Sequence, residues 1–203
     1  MSIQERKQRE KEALRNKIIQ AASELVSAEG HEHVSIRKIA RAVEYSPRTI
    51  YLYFRDKEHL LQEVVEAGFE RTLSIRSKEP AQEKLSPVQL LRTRLAAHVH
   101  NALAHPNFYR AVVTLIFEKE YTPGPAQQKI ITQTRIDIAR CLPPERRGAE
   151  EVDKAACLVF STARGFALSL LKISDSLADG KRQQIIDYFI DFIIHGLQVQ
   201  EEQ

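Results

Sequence analysis

Apolar side chains recur every three or four positions along most of this chain, and that spacing places them on one face of a helix. The first such face, in a helix predicted over residues 8–28, comprises Leu14, Ile18, Ala21, Ala22 and Leu25. Gly30 follows and can end this helix in a left-handed conformation. No segment alternates apolar and polar residues for long enough to form a strand, so the chain is predicted to be all-α.

The same spacing predicts eight further helices. They lie over residues 36–43, 47–53, 58–76, 87–104, 106–120, 126–141, 149–173 and 180–198. A polar stretch over 74–87 is the predicted domain boundary. The sequence therefore predicts an N-terminal domain over 8–57, a connecting helix over 58–76 and a C-terminal helical domain over 77–203.

The last predicted helix is apolar on nearly every side. Its large apolar residues are Ile185, Ile186, Phe189, Ile190, Phe192, Ile193, Ile194 and Leu197. A helix that is apolar all round has to be covered all round. One interpretation is that its own domain covers one side and a second subunit covers the other; the alternative is complete burial within one chain.

Composition excludes several classes of protein. The chain has 203 residues, 43% of them apolar and 28% charged, which is ordinary for a soluble globular protein. No uncharged run approaches the ~18 apolar residues of a membrane helix, and the charged N-terminus is not a signal peptide, so we expect a cytoplasmic protein without a membrane partner. Two cysteines cannot form a disulfide framework, which favours a reducing compartment.

The sequence predicts no catalytic site, no metal site and no cofactor. We find no nucleophile elbow, phosphate-binding loop, HExxH or CxxC motif, so an enzyme is not expected. His98 and His100 would face different sides of a helix, and His31 and His33 lack nearby third and fourth ligands.

The position of the net charge is more informative than its size. The formal charge is +3, and residues 1–60 hold 12 basic and 9 acidic residues, whereas the rest of the chain is balanced. The excess therefore lies entirely in the first third, which favours a polyanionic partner. The basic N-terminal stretch up to Arg15 is either a solvated helix start or an arm that contacts phosphates.

The segment over residues 34–57 has the outline of a helix-turn-helix. Ser35 and Ser46 each precede an apolar-periodic segment and can cap a helix with the side-chain hydroxyl. Pro47 occupies a first helical position, where the missing N–H costs nothing. Val34 with Ile39, and Tyr45 with Ile50, occupy the positions of hydrophobic staples. This pattern predicts two short helices with well-defined N-termini, joined by a turn at residues 43–45.

This segment is also strongly basic. It carries six basic and two acidic residues. Burial of Ile50 and Phe54 in the second short helix leaves a set that can face outward: Arg48, Thr49, Tyr51, Leu52 and Tyr53. Arginine can pair with guanine, and threonine and leucine can contact a thymine methyl group. The alternative for Tyr51 or Tyr53 individually is packing inward with only the hydroxyl exposed.

Residues 14–65 resemble the DNA-binding domain of the tetracycline-repressor-type (TetR) family of bacterial transcription regulators. The resemblance is carried by four runs: IIQAASELVSAEG from residue 18, VSIRKIA from 34, SPRTIYLYF from 46 and DKEHLL from 56. It implies an all-α fold with a three-helix helix-turn-helix domain followed by a C-terminal ligand-binding and dimerisation domain. This chain departs from the family pattern at Glu44, where the turn usually has glycine. A left-handed backbone there costs glutamate about 1 kcal/mol.

The resemblance also implies roles for individual residues. Backbone contacts are implied for Ser35, Arg37 and Lys57, base reading for the start of the second short helix, and phosphate or base contacts for two tyrosines. The implied DNA-binding set is Ser35, Arg37, Ser46, Pro47, Arg48, Thr49, Tyr51, Tyr53 and Lys57. The candidate effector pocket comprises His98, Asn101, Phe108, Tyr109, Phe117, Tyr121 and Arg164. The expected dimer interface comprises Phe166, Leu170, Ile186, Ile190, Ile193 and Leu197.

These implications combine into an expected function. The chain is expected to be a homodimeric repressor that binds a palindromic operator in double-stranded DNA and is released by a small-molecule effector. The alternative is a ligand-independent DNA-bound scaffold of the same fold, such as a nucleoid-associated or cell-division regulator. For Arg164 the sequence leaves two interpretations open: it pairs with an acidic effector, or it forms a salt bridge with a carboxylate of the protein.

Overall fold

The computed structural model describes residues 2–78, 85–117 and 121–198. Within these ranges the chain is helical and has no strand, as the pattern predicts. The α-helices are α1 (Ile3–Glu29), α2 (Ile36–Val43), α3 (Pro47–Tyr51), α4 (Lys57–Ser77), α5 (Pro87–Ala104), α6 (Pro106–Ile116), α7 (Pro125–Cys141), α8 (Ala149–Ile173) and α9 (Asp179–Gln198). Short 3-10 turns lie at His31–His33, Pro144–Arg146 and Ser174–Ser176.

The chain forms two compact units, and neither is continuous in sequence. The first contains Met1–Thr72 and Asn107–Ala126, and the second contains Leu73–Pro106 and Gln127–Gln203. This division differs from the single C-terminal domain predicted over 77–203. Ala111 and Leu115 of α6 are buried in the core of the first unit, so 107–126 belongs with the N-terminal helices. The predicted boundary at 74–87 falls partly on residues 79–84, which lie outside the described residues.

The first unit is built around one apolar cluster. Its fully buried large side chains come from α1 to α4, the segment after α3 and α6: Ile18, Val26, Ile39, Ile50, Phe54, Leu60 and Leu115. Asn107, at the start of α6, donates hydrogen bonds to the carbonyl oxygens of Ser27 and Ala28, at 3.0 and 3.3 Å. These bonds hold α6 against the C-terminal end of α1.

Helix α1 is longer than its apolar face. It begins at Ile3 rather than near residue 8, because Ser2 and Glu5 form a capping box. The Ser2 hydroxyl accepts the Glu5 N–H at 3.1 Å, and the Glu5 carboxylate accepts the Ser2 N–H at 2.7 Å. Residues 2–13 are exposed along their whole length, so apolar periodicity could not find this extension. Gly30 ends the helix as predicted, with a positive φ of 85°, but its ψ of 151° differs from that of a left-handed helical cap.

The second unit packs α5, α7, α8 and α9 around a separate core. Leu91, Ile138, Leu170 and Ile186 are fully buried in it. The segment Ala149–Ser176, which is α8 with its following turn, is the one described helix long and apolar enough to cross a membrane by length and composition alone. Two of its large apolar residues, Leu158 and Ile173, are 65% and 47% exposed.

Candidate nucleic-acid interface

Two serine caps start the two short helices of the N-terminal unit. The Ser35 hydroxyl accepts the Lys38 N–H at 3.3 Å, and the Ser46 hydroxyl accepts the Thr49 N–H at 3.2 Å. The Ser46 and Thr49 hydroxyls also lie 3.0 Å apart, within hydrogen-bonding distance. Pro47 occupies the first position of α3. Each cap satisfies an N–H that the first turn of a helix leaves without a partner, so the short helices begin where the pattern predicts.

The turn between α2 and α3 depends on an unfavourable residue. Glu44 has φ of 64° and ψ of 38°, the left-handed conformation, and the Tyr45 N–H closes the turn on the Ala40 carbonyl oxygen at 2.9 Å. The Lys17 ammonium group of α1 donates to the Val43 carbonyl oxygen at 3.3 Å. The helix-turn-helix is thereby tied directly to α1, and Glu44 keeps the geometry at a cost of about 1 kcal/mol.

Helix α3 buries one side and exposes the other. Ile50 and Phe54 are buried, whereas Tyr51 is 55% exposed and Leu52 is 73% exposed. Tyr53 is partly buried against the core of the first unit, which agrees with the inward-packing alternative for this residue.

The two predicted staples differ in burial. Val34 and Ile39 are both buried, whereas Tyr45, the expected partner of Ile50, is 47% exposed. About half of the Tyr45 side chain is therefore open to solvent at the turn.

Most basic residues of this segment form no ion pair. Lys38 pairs with Glu29 at 2.5 Å, and Arg55 pairs with Asp56 at 2.8 Å. Four others form no ion pair with any residue that the structure describes: Arg37, Arg41, Arg48 and Lys57. Their charges are therefore available to a polyanion.

The start of α4 is held by an acidic cap. The Asp56 carboxylate accepts the His59 N–H at 2.7 Å, and hydrogen bonds from Arg55 and from this N–H lower the pKa of Asp56. A carboxylate at a helix N-terminus also interacts favourably with the helix dipole. This cap fixes the backbone that carries Lys57, the first residue of α4.

The structure brings the whole predicted DNA-binding set into the first unit, and the assigned contacts stay predictions. The exposed members are Ser35, Arg37, Ser46, Pro47, Arg48 and Tyr51, and the half-buried members are Thr49, Tyr53 and Lys57. Sequence reasoning left Arg41 and Leu52 out of this set. Arg41 in α2 is exposed without an ion pair among the described residues, and Leu52 is a large apolar residue that the core leaves uncovered.

The predicted effector-pocket residues do not share one unit. Four aromatic candidates belong to the first unit: Phe108, Tyr109, Phe117 and Tyr121. Three belong to the second: His98, Asn101 and Arg164. Phe108 and Tyr121 pack against the core of the first unit, Tyr109 is buried, Phe117 is 73% exposed and Asn101 is exposed. Within the second unit, the charge of Arg164 contributes to the lowered pKa of His98.

The second unit also contains an interior ion pair that the sequence did not reveal. Arg94 of α5, with a side chain 11% exposed, pairs with Asp137 of α7, which is fully buried. Burial together with the guanidinium groups of Arg164 and Arg76 lowers the pKa of His98 to about 4. The one signal in the sequence was an aspartate placed on the apolar side of α7.

The predicted dimer-interface residues face inward instead. Five of them are buried in the core of the second unit: Leu170, Ile186, Ile190, Ile193 and Leu197. Phe166, the sixth, stacks on Phe189 with ring centroids 4.0 Å apart. The uncovered apolar side chains of α8 and α9 are Leu158, Ile173, Tyr188 and Phe192. A helix that is apolar on all sides can pack either face against the core, and the periodicity of its sequence does not indicate which face is buried.

We define the outer apolar face by these four uncovered residues and the small residues between them. On α9, Tyr188 and Phe192 are 76% and 68% exposed and one turn apart. On α8, Leu158 and Ile173 flank the exposed Ser161, Gly165 and Ser169.

Among the described residues, no group of three or more His, Cys, Asp or Glu side chains could hold a metal ion.

A helix-turn-helix with a capped second helix, and with basic side chains that form no ion pair among the described residues, is typical of DNA-binding proteins. Comparison with known proteins supports the same class. The family model described as "Bacterial regulatory proteins, tetR family" matches residues 18–64. The regulator TcmR of Streptomyces glaucescens is 35% identical over 85 residues, which cover 42% of this chain and 37% of TcmR. The matched region therefore spans well under half of that relative.

Solved structures match over nearly the whole chain. RolR in complex with resorcinol has a TM-score of 0.69 at 23% identity, covering 95% of this chain and 91% of RolR. BioQ with its double-stranded DNA operator has a TM-score of 0.65 at 16% identity, covering 89% of this chain and 98% of BioQ. Residues 18–64 of this chain are therefore similar to the tetR family of bacterial regulatory proteins, and the fold of the chain is the all-α fold of these solved chains.

Proposed function

We propose that this chain is a transcriptional repressor that binds a palindromic operator as a homodimer and is released by a small molecule. The observation that carries the DNA-binding part is the uncovered side of α2 and α3. Four cationic side chains without carboxylate partners among the described residues belong to α2, α3 and the start of α4, and an exposed tyrosine and leucine lie at the end of α3, whose N-terminus is capped. Cations, hydroxyls and helix N-terminal amides contact phosphates, and exposed arginine reads guanine.

The homodimer is supported by the outer apolar face of α8 and α9. A two-fold symmetric protein matches a palindromic site whose half-sites lie one helical turn, ~34 Å, apart. Large apolar side chains exposed together on two helices favour a self-complementary interface over solvent. We place this interface on Leu158, Ile173, Tyr188 and Phe192, since the residues first predicted are already used in the core.

Effector release is supported by the structural relatives. RolR is described with resorcinol bound, and BioQ with its DNA operator. A ligand that binds one conformation of the dimer better than another would shift the spacing of the two recognition helices.

The experiment is selection of bound fragments from a random DNA pool, followed by gel-shift titration at several salt concentrations. Arg48→Ala is expected to lose discrimination of one base pair, worth about 1–3 kcal/mol, while the oligomeric state stays the same. Lys57→Ala is expected to weaken binding to all sequences and to reduce the salt slope by about one. Lys181→Ala removes the same charge from an exposed position on α9 and serves as the control.

The outcomes separate the alternatives. No enriched sequence, or variants of Arg48 and Lys57 that bind like the control, would refute the assigned interface. An enriched operator that no cell extract releases would favour the ligand-independent scaffold.

A further inference from the structure

Helix α1 lies beside α4 in the first unit, and two side-chain contacts show how the helices align. Arg15 of α1 pairs with Glu63 of α4 at 2.7 Å. Farther along, the Arg71 guanidinium group of α4 donates to the Ser23 hydroxyl of α1 at 3.4 Å. Both contacts join residues that are 48 positions apart, so the two helices run in the same direction. Their N-termini therefore lie at the same end of the unit.

The N-terminal part of α1 extends past the start of α4. With the same offset of 48 positions, Lys57, the first residue of α4, is level with position 9 of α1. Because α1 begins at Ile3, residues 3–8 continue beyond that level by about 9 Å, at a rise of about 1.5 Å per residue. Lys57 belongs to the proposed DNA-binding set. The extension therefore leaves the core at the end of the unit where the proposed interface lies.

The charges of this extension are arranged unevenly around the helix. Residues 3–12 hold four basic and three acidic side chains, which are nearly balanced in total. Each of the three carboxylates has a partner within α1. The pairs are Glu5 with the Ser2 N–H, Glu10 with Arg6, and Glu12 with Gln8. Lys7 and Lys11, by contrast, form no ion pair with any residue that the structure describes.

The two unpaired lysines share one face of α1. Lys7 and Lys11 are one turn apart, and Ile18 follows Lys11 by seven positions, so all three side chains lie on the same side of the helix. At Ile18 this side is fully buried, in the same apolar cluster as Leu60 of α4. At the lysines it is exposed. The core-facing side of α1 therefore continues past the end of the core as an exposed, positively charged side.

We propose that Lys7 and Lys11 contact phosphates of the DNA backbone beyond those contacted by α2, α3 and Lys57. An ammonium group binds phosphate as a point charge and does not read the base sequence. The inference rests on the proposed function, because it assigns a further part of the chain to the same partner. It decides between the two interpretations that the sequence leaves open for the basic N-terminal stretch, in favour of an arm that contacts phosphates.

The test is the salt dependence of DNA binding by the full chain, measured with the selected operator and with a duplex of unrelated sequence. Lys7→Gln combined with Lys11→Gln removes both charges, and glutamine has nearly the helix propensity of lysine. Two phosphate contacts account for roughly a 12-fold loss of affinity between about 50 and 200 mM salt. For each bound subunit, the salt-induced loss is therefore expected to be about 12-fold smaller in the double variant than in the parent, on both duplexes alike.

The matched control removes the same charge from elsewhere in the chain. Lys129→Gln combined with Lys181→Gln neutralises two exposed lysines of the second unit. This variant has the same net charge as the double variant of α1, and it is expected to keep the salt dependence of the parent. A general effect of net charge would instead change both double variants equally, and that result would overturn the proposal.

A second readout is hydrogen exchange of the amides in residues 3–12. These turns are exposed and pack against no core, so their amides are expected to exchange rapidly in the free chain and more slowly once the unrelated duplex is added. The proposal is overturned if the duplex leaves this exchange unchanged, or if the double variant of α1 keeps the salt dependence of the parent. A parent chain that binds neither duplex would overturn the proposed function as well. DNA binding with an unaltered salt dependence in the double variant would overturn this inference alone.

Discussion

Replacing Phe192 tests where the subunits meet. Its ring is 68% exposed in the single chain, although it lies on a helix whose other face is core. Full burial of a phenylalanine stabilises by roughly 1.5–3 kcal/mol, so covering the exposed two-thirds contributes about 1–2 kcal/mol per subunit. Two-fold symmetry counts this contribution twice, which makes the expected loss in Phe192→Ser about 2–4 kcal/mol of dimerisation free energy.

This loss of dimerisation free energy corresponds to an increase of about 30- to 700-fold in the dissociation constant of the dimer. Sedimentation equilibrium over a range of protein concentrations measures it directly. The free energy of unfolding of the monomer is expected to change little, because the side chain is already in solvent. Far-UV circular dichroism of the variant is expected to match that of the parent.

Ile190, two residues earlier on α9, is the matched comparison. It is 2% exposed, so Ile190→Ala is expected to cost about 2–5 kcal/mol of folding free energy in urea titration. A Phe192→Ser variant that dimerises as tightly as the parent would refute the placement of the interface on the outer apolar face. So would a variant of Ile190 that dissociates while its fold stays as stable as before.

Three further predictions concern a cap, a turn and a buried imidazole. Ser46→Ala removes the cap of α3 and is expected to cost about 1 kcal/mol, seen as a lower Tm by calorimetry. Ser74→Ala, at an exposed position inside α4, is expected to leave the Tm unchanged. Glu44→Gly removes the steric strain of the left-handed backbone and is expected to raise the free energy of unfolding by about 1 kcal/mol, seen as a higher Tm. An unchanged or lower Tm would show that Glu44 is not strained. The folded-state pKa of His98, about 4, lies below the ordinary value of 6.5, so the unfolded chain binds more protons between those values. Stability is therefore expected to fall as the pH drops from about 6.5 towards 4, and His98→Gln, unlike His100→Gln, is expected to flatten that fall.

Local chemistry explains why the N-terminal region was predictable. A helix start depends on a hydroxyl and an N–H three residues away, so Ser35 and Ser46 could be assigned as caps without knowledge of the rest of the chain. The same holds for Gly30 at the end of α1. The extension of α1 to Ile3 escaped prediction because residues 2–13 are exposed and have no apolar periodicity, although Ser2 and Glu5 have the spacing of a capping box.

The candidate sites of the second unit were less predictable, because they depend on contacts between distant segments. The partner of Arg94 lies 43 positions away at Asp137, on another helix. Nothing within a helical turn of either residue indicates that pairing. The packing of two aromatic pocket candidates could not be predicted for the same reason: Phe108 and Tyr121 pack with the core of the first unit, whereas His98 belongs to the second.

The sequence by itself determined the all-helical class, the helix-turn-helix with its caps and turn, and the end of the chain that carries the excess positive charge. Each of these follows from residues within a few positions of one another or from composition. The tertiary structure alone decided that α6 joins the first unit, that Ile190 is core while Phe192 is exposed, and that Arg94 meets a buried carboxylate. A helix has the same periodicity whichever side is covered, and only the packing of the other helices determines which side that is.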